Sequence, residues 1–562
     1  MVRIPATLCV CFVAGCYSGV SSDGRAVDGG LTTAETDTDD STEGPATDTN
    51  DPADDTADQS DDSTATTAAA DETMGPEPTE APLAEHIGLT RIELNQGVAM
   101  VLVRDGALVA PGPDLGELIP GRSALVRGLW EVDPGFTPRE LEGRLLIRSG
   151  GQDQIYSQTL QVDGDADASS VQGGFLWEVP GGVISADAEI AIEIRETTIV
   201  AEGPDVATSV RQPADGYAEL PVASGEQRLD VVLVPLNYTA GGNLTVDLAQ
   251  ADIDLIGQML FDHHPVEEVS ISVRNPIDYP NAITTNEEFG DTLGFLVGLR
   301  DSDQAPANVY YAALVDIGCS VVGCGSSGTN GVGYTLPDEE LADARLRVSS
   351  TLWTDAVTSA DVLVHELGHN HGLRHVPCPG TTPANATPDY PHTDGAIGGW
   401  GWAPLADTLY GSNNFDYMTY CDPAWLSDWT WSLTHARLQA VAVLPTPAPS
   451  GDTLLAHVHP SGRQTWFRVA TGGAPRSKAK GPQVTFMADG AVLATAFATE
   501  LPPTDHGGRI LRVEIPPTAA RFDVLSWDRS GELEEVTAAE LRGPTQPVRR
   551  AEPIARKSFR SR

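Results

Sequence analysis

The sequence predicts a multidomain protein in which a central α/β unit is flanked by two all-β, sandwich-like units. Its 562 residues are enough for three or four domains. Short apolar runs separated by Gly, Pro and Asp fill residues 84–228 and return in residues 445–540, a pattern typical of β-sandwiches. In residues 229–444, strand-like apolar runs alternate with helical patterns, which is typical of an α/β unit.

The first 16 residues have the layout of a secretory signal peptide. Arg3 supplies one positive charge, and residues 4–13 form a short apolar core. Residues 13–16, Val-Ala-Gly-Cys, resemble a bacterial lipobox, which implies that Cys16 is lipidated. Because two or more acyl chains anchor a protein stably, we expect an exported lipoprotein at the bacterial outer membrane, or a protein released outside the cell. The alternative is an ordinary signal peptide in which Cys16 has no role.

Residues 17–83 are acidic and contain few large apolar side chains. Between Tyr17 and Pro82 there are 18 Asp or Glu residues against Arg25 alone. Such a segment buries too little apolar surface to offset the entropy lost on folding. The composition therefore predicts a disordered tether between the lipid anchor and the folded chain.

The charge of the whole chain excludes one class of partner. The chain carries 34 basic and 80 acidic residues, a formal net charge of −46, whereas nucleic-acid binders place Lys and Arg on phosphates. We therefore expect no nucleic-acid partner. No apolar run approaches the roughly 18–20 residues that a membrane-spanning helix needs, so membrane contact is expected through the lipid anchor only.

Individual elements of the central unit can be predicted in order. Strands are predicted at residues 230–236, 268–274 and 308–315, and helices at residues 246–261 and 286–300. Thr285 and Glu288 form a capping-box pair at the start of the second helix. The final residues, 541–562, are basic, and we interpret them as a solvated tail.

Four cysteines remain in the folded part of the chain: Cys319, Cys324, Cys378 and Cys421. In an oxidising compartment an even number favours disulfides. The economical pairing, one of three connectivities, joins the first two cysteines in a tight loop and the last two across a longer one. A structural zinc held by all four is the rival interpretation, but the short Cys-x-x-Cys pairs typical of such sites do not occur.

The segment with the clearest chemistry is DVLVHELGHNHGLRHVPC, residues 361–378. His365 and His369 are four residues apart, so a helix places both imidazoles on one face, where they can bind one metal ion. Glu366 lies beside the first histidine, where a general base for a metal-bound water is needed. Gly372 can adopt a positive φ and end the helix, so that His375 turns back as a third ligand.

This segment resembles the signature of the metzincin zinc metallopeptidases, His-Glu-x-x-His-x-x-Gly-x-x-His followed by a Met-containing turn. NFDYMTY, residues 414–420, supplies the second element, with Met418 as the methionine beneath the metal. Tyr420 follows at a spacing similar to the astacin and serralysin branches, where the tyrosine can bind zinc and move to the transition state. The resemblance covers residues 229–441 and implies a metzincin-like catalytic domain with one catalytic Zn²⁺ on His365, His369 and His375.

The segment after His375 differs from the compact linkers of most metzincin branches. It is long and rich in Gly, Pro and Trp, similar to mucinase-type secreted bacterial members. Trp400 and Trp402 within it either line a specificity pocket or pack the loop. A disulfide between Cys378 and Cys421 would join the segment after the third histidine to residues 414–420, which are called the Met-turn below. The resemblance also implies that residues 331–336 form an edge strand that binds an extended peptide.

These features predict a surface-anchored or secreted zinc endopeptidase that hydrolyses extracellular proteins or glycoproteins. One alternative is a surface adhesion or binding protein with a vestigial peptidase unit, and another is a zinc amidase acting on a non-protein substrate. The acidity leaves a Ca²⁺ site open, without a clear ligand loop. We interpret the pairs His263/His264 and His457/His459 as surface or turn histidines, and we expect His371 to face away from the metal.

Overall fold

The computed structural model describes residues 80–110, 116–199, 206–318, 330–338, 341, 343–381, 383–444, 449–472, 481–501, 504, 507–529, 531–542 and 555–561. The expected signal peptide, Cys16, nearly all of the tether, and the Cys319–Cys324 pair lie outside these residues. Across the described residues the chain is mostly β, with several sheets and four α-helices. In these ranges no helix has both the length and the apolar character needed to cross a membrane.

The N-terminal region is built from antiparallel strands. They are β1 (Ile87–Asn95), β2 (Ala99–Arg104), β3 (Ala107–Leu108), β4 (Ala124–Val132), β5 (Arg139–Ser149), β6 (Gln152–Val162), β7 (Phe175–Val179), β8 (Glu189–Glu196), β9 (Arg211–Gln212) and β10 (Ala218–Glu219). One sheet has the order β3-β2-β1-β4-β7 and the other β10-β8-β5-β6, with β9 beside β8. Alternate residues of the two sheets, such as Val126, Leu145 and Ile192, share one buried core. This arrangement is consistent with the all-β prediction.

The central region contains a mixed sheet with helices on both faces. Its elements are β11 (Arg228–Tyr238), β12 (Leu244–Thr245), α1 (Gln250–His263), β13 (Glu268–Val273), β14 (Ile277–Tyr279), α2 (Asn286–Ser302), β15 (Val309–Val315), β16 (Gly331–Gly333), β17 (Val348–Leu352) and α3 (Ala356–Asn370). The strand order is β16-β17-β15-β11-β13, and all neighbours are parallel except β16, which is antiparallel to β17.

The alternation of apolar residues along β11 explains why both faces of this sheet are covered. Leu233 belongs to the core beneath α1 and α3, whereas Val234 belongs to the core beneath α2, because successive side chains of a strand point to opposite faces. The predicted start of α2 is present: the Thr285 hydroxyl accepts a hydrogen bond from the backbone N–H of Glu288.

After α3 the chain forms short strands and one more helix, and then a second antiparallel region. These elements are β18 (Gly401–Ala403), β19 (Thr408–Tyr410), β20 (Phe415–Asp416), β21 (Ala424–Trp425), α4 (Asp428–Ala442), β22 (Pro449–Val458), β23 (Gln464–Gly472), β24 (Gln483–Ala488), β25 (Ala491–Phe497), β26 (Thr499–Leu501), β27 (Arg509–Glu514), β28 (Val524–Arg529) and β29 (Glu532–Thr537). Two four-stranded sheets, β23-β22-β27-β26 and β25-β24-β28-β29, share a core that includes Leu454 and Trp527. Leu455 and Phe467 point the other way, into the core beneath α2.

A buried arginine joins the N-terminal sheets to the central region. The Arg122 guanidinium donates hydrogen bonds to the carbonyl oxygens of Phe261, Asp262, His264 and Val266, at and beyond the C-terminal end of α1. It also lies over the Phe261 ring, 4.2 Å from the ring centroid. A cation at this end of a helix satisfies its last carbonyls and complements its dipole. Arg122 therefore makes the N-terminal sheets part of the support of α1.

The expected solvated tail is wrong for the last strand, β30 (Ala555–Phe559), which pairs antiparallel with the outer edge of β13. Phe559 packs against Gly257 of α1, where an added Cβ would overlap its ring. Arg560 pairs with Glu268 and Lys557 with Asp254. Basic composition suggested solvation, but the acidic side chains of α1 and β13 give these cations partners.

Replacing Phe559 with Ala should measure how much this final strand stabilises the fold. The side chain is 9% exposed, and truncation of a buried Phe costs about 3–5 kcal/mol. We expect the free energy of unfolding in urea to fall by about 3 kcal/mol. Arg556→Ala, an exposed change in the same strand, is the control and should change it little. Equal effects of the two variants would contradict the docking of Phe559.

Candidate metal centre

The helix α3 carries the first two histidines of the motif. The Asp355 carboxylate caps its N-terminus by accepting from the backbone N–H of Thr358 at 3.0 Å, as N-cap residues do. Its apolar face, which includes Leu363 and Leu367, is buried in the core beneath the sheet. The rings of His365 and His369 then lie one turn apart, with centroids separated by 5.0 Å.

The end of α3 brings the third histidine back to the other two. Gly372 has φ +92°, its N–H donates to the His369 carbonyl at 2.8 Å, and the Leu373 N–H donates to the Gly368 carbonyl at 3.0 Å. This pair of bonds is a Schellman motif. A side chain at Gly372 would be strained by the positive φ and would also lie 2.7 Å from the Leu336 carbonyl oxygen. The sharp turn leaves the His375 ring 4.7 Å from His369 and 5.3 Å from His365, between centroids.

The three histidines form a group that could hold a metal ion. One ring nitrogen from each residue lies within 4.8 Å of the other two, and all three side chains are buried. Each Nδ1 lies beside a backbone carbonyl oxygen, at 2.8 Å for His365 with Tyr417, 2.9 Å for His369 with Leu373 and 2.6 Å for His375 with Ala384. A carbonyl oxygen only accepts, so each Nδ1 carries the proton and each Nε2 presents its lone pair. Such outer hydrogen bonds orient metal-binding histidines, so the donor set fits a transition metal.

Glu366 lies in a close-packed position between α3 and the edge strand β16. It is 3% exposed. A Cβ added at Gly331 would lie 2.7 Å from Glu366 Cγ, and one at Gly333 would lie 3.1 Å from Glu366 Oε2. A side chain at Gly331 would overlap the Glu366 carboxylate, and one at Gly333 would press against the backbone carbonyl oxygen of Glu366. The sequence indicated an edge strand here, but it gave no sign that these glycines make space for Glu366.

The Met-turn lies directly beneath α3. Met418 is fully buried, and a Cβ on Gly368 would overlap its sulfur. The buried Asp416 carboxylate holds the turn, since it accepts from the Met418 N–H at 2.9 Å and from the hydroxyls of Ser427 and Thr430 at the start of α4. Burial raises the pKa of Asp416, while these hydrogen bonds favour its charged form. Sequence reasoning missed Asp416, although it stands two residues before Met418.

Asp416→Asn should loosen the Met-turn. The amide keeps the shape but replaces one acceptor oxygen with a donor that faces hydroxyl and N–H groups, and an unsatisfied buried polar group costs about 1–3 kcal/mol. We expect a lower thermal midpoint and a loss of unfolding free energy of that order. Asp389→Asn, the same change at an exposed position, is the matched control. An Asp416 variant as stable as this control would show that the carboxylate does not hold the turn.

A disulfide closes the site on its outer side. Cys378 and Cys421 are bonded, with Cα atoms 6.3 Å apart, which is the pairing proposed from the sequence. The Val376 N–H also donates to the Met418 carbonyl at 2.9 Å, so the segment after His375 and the Met-turn are joined twice. Tyr420, next to Cys421, places its hydroxyl 2.8 Å from His375 Nε2. Since that nitrogen presents a lone pair, the tyrosine O–H donates to it.

Other sequence-predicted residues lie away from the triad formed by His365, His369 and His375. His371 Nδ1 is 3.3 Å from the Tyr310 hydroxyl, it is outside the metal-binding group, and burial lowers its pKa well below the ordinary value. Trp400 and Trp402 are 6% and 1% exposed. The indole N–H of Trp400 donates to Glu93 of β1 at 2.7 Å, so these tryptophans pack the loop against the N-terminal sheets.

Comparison with known proteins adds no further assignment. No protein-family model matches this chain, and no curated protein matches it either.

Proposed function

We propose that this protein is a zinc-dependent endopeptidase of the metzincin type. The observation that carries the proposal is that one ring nitrogen from each of His365, His369 and His375 lies within 4.8 Å of the other two, with Glu366 adjacent on the same helix. Three neutral imidazoles are a common ligand set of catalytic zinc, with the fourth position left for water or substrate. The mixed sheet, with the antiparallel edge strand β16 beside Glu366, supports a metzincin-like arrangement.

The residues of the chain have distinct roles in the proposed hydrolysis. His365, His369 and His375 would hold the zinc ion, which would supply an acidified water and polarise the scissile carbonyl. Glu366 accepts the proton of the attacking water and passes it to the leaving amine nitrogen. Tyr420, whose hydroxyl lies 2.8 Å from His375 Nε2, donates a hydrogen bond to the developing oxyanion. The disulfide and Asp416 hold the Met-turn and the three histidines in place, so that the site is preorganised.

The close fit around Glu366 favours hydrolysis over the alternative of a vestigial unit in an adhesion protein. Burying a polar side chain lowers stability unless it is well hydrogen-bonded, so a chain with no use for a general base gains nothing by packing Glu366 against two glycines of β16. The same proposal includes the substrate class, which is extracellular proteins or glycoproteins. It also includes attachment to the bacterial cell envelope through Cys16. The second hydrolytic alternative, an amidase for cell-wall components, shares this site chemistry.

Digestion of unfolded casein by the purified full-length chain tests the proposal. We expect cleavage that a zinc chelator abolishes and that added Zn²⁺ restores. Parallel incubation with bacterial cell-wall fragments separates the two hydrolytic functions, because an amidase would release products from these fragments and leave casein intact. A zinc-loaded protein that cleaves neither substrate would contradict an enzymatic function and favour the adhesion alternative.

A further inference from the structure

A second cluster of histidines lies far from the motif in sequence. Asp291 of α2, His457 at the end of β22 and His459 just after it form the other group of described residues that could hold a metal ion. The side chains of Asp291 and His457 are 0% and 4% exposed, and that of His459 is 11% exposed. Interpreting these histidines as surface residues was therefore wrong.

The distances from Asp291 to the two histidines suit a tetrahedral metal. Asp291 Oδ1 lies 3.1 Å from His459 Nε2 and 3.6 Å from His457 Nδ1. Ligand atoms about 2.0–2.1 Å from a tetrahedral zinc are about 3.4 Å from one another. A small cavity of about 200 Å³ adjoins both histidines. Water can therefore approach the two histidines from this side.

The surrounding hydrogen bonds provide the outer support that metal ligands have. The other carboxylate oxygen, Asp291 Oδ2, accepts from Arg463 at 2.8 Å, Thr465 at 2.9 Å and Arg542 at 3.1 Å. His457 Nε2 lies 2.6 Å from the Tyr334 hydroxyl. With a metal on Nδ1, the proton of His457 moves to Nε2, where the tyrosine oxygen accepts it.

One nitrogen in the cluster has incompatible neighbours. His459 Nε2 is 3.1 Å from the Asp291 carboxylate, an acceptor, and 3.1 Å from Arg463 Nη2, a donor. A hydrogen on this nitrogen would be repelled by the arginine N–H groups. A lone pair on it would be repelled by the carboxylate oxygen. A cation between Nε2 and Oδ1 removes this conflict. The Arg463 side chain, 29% exposed and also near Glu287, can move outward to make room.

We propose that Asp291, His457 and His459 form a second metal site for Zn²⁺ or a similar divalent transition ion, with Arg463 as a competing cation. Two imidazoles and one carboxylate are a ligand set that such ions accept. The site joins α2 to β22, so the bound ion ties the C-terminal sheets to the central region. This proposal does not depend on the catalytic one.

Cobalt binding to the full-length chain tests the second site, with Co²⁺ absorbance and metal content as readouts. The His365→Ala/His369→Ala background removes the triad, so that only the second site remains. In this background we expect one Co²⁺ per chain. His459→Gln should lower the Co²⁺ affinity at least about tenfold. Arg463→Gln should raise it, because the competing cation is gone. His392→Gln, a histidine paired with Asp428 elsewhere, should change nothing.

Two results would overturn the second site: no Co²⁺ in the background variant, or binding that His459→Gln leaves unaltered. Circular dichroism shows whether each variant is folded. If His459→Gln does not fold, Arg463→Gln decides, since weaker binding in that variant would make the arginine a support for the site rather than a competitor and would contradict the proposal.

Discussion

We expect Glu366→Gln to leave zinc bound and to lower kcat/KM for casein cleavage by about 10³-fold. The amide has the size of the carboxylate and fits the space left by Gly331 and Gly333, but it cannot accept the proton of the attacking water. General-base catalysis contributes typically about 10²–10⁴-fold. Initial rates of peptide release, measured alongside zinc content, give both parts of the prediction.

A surface glutamate gives the control for this variant. Glu131 is exposed, and Glu131→Gln should leave both rate and zinc content at the values of the unaltered chain. Turnover retained in Glu366→Gln would remove the proposed base from the mechanism. Loss of zinc together with turnover would mean that the carboxylate supports metal binding, which is a different role.

We expect His369→Ala to remove one equivalent of zinc and all measurable cleavage. The residue is fully buried and supplies one of three converging nitrogens, so its loss leaves two ligands, too few for the three protein ligands typical of a catalytic zinc. Zinc content after dialysis against metal-free buffer measures the effect. Thermal stabilisation by added Zn²⁺, a consequence of ligand binding to the folded state, should shrink in the same variant.

His371 provides a matched control within the same motif. It is also a buried histidine, two residues later, but it lies outside the triad beside Tyr310. His371→Gln should retain the full zinc content, whatever it costs in stability. Equal metal loss in the two variants would show that the effect comes from unfolding of the α3 terminus and not from loss of a ligand.

The parts of the site that the sequence could predict are those set by local geometry. The four-residue spacing of His365 and His369 follows from the helical period, and the turn at Gly372 follows from its freedom to take positive φ. Tyr420 and the Cys378–Cys421 pair were indicated by their position around the Met-turn. The structure places these groups together at distances that local rules alone could not supply.

The remaining features depend on contacts between distant segments. Asp416 holds the Met-turn through hydroxyls that are 11 and 14 residues later, and the Nδ1 carbonyl partner of His365 is 52 residues away. Nothing in the sequence distinguishes Arg122 from other arginines, because its partner Phe261, near the end of α1, is 139 residues away. No periodicity or motif records such pairings, because they arise only when the sheets and helices pack.

The burial of His263 and His264 could not be predicted from the sequence either. His263 and His264 lie at the end of α1, where burial lowers their pKa values to about 4 and about 3. Adjacent histidines have no pattern that separates a surface pair from a buried one. A neutral histidine is compatible with a core when its ring N–H reaches a carbonyl, as His264 does with Leu260 at 2.7 Å.

Anomalous diffraction at the zinc edge, from crystals of the zinc-loaded full-length chain, locates the metal itself. We expect a peak about 2.0–2.1 Å from Nε2 of His365, His369 and His375, with Glu366 beside it and not among its ligands. The absence of a peak at these three nitrogens in fully zinc-loaded protein, or a metal held there through Glu366, would contradict the proposed zinc site.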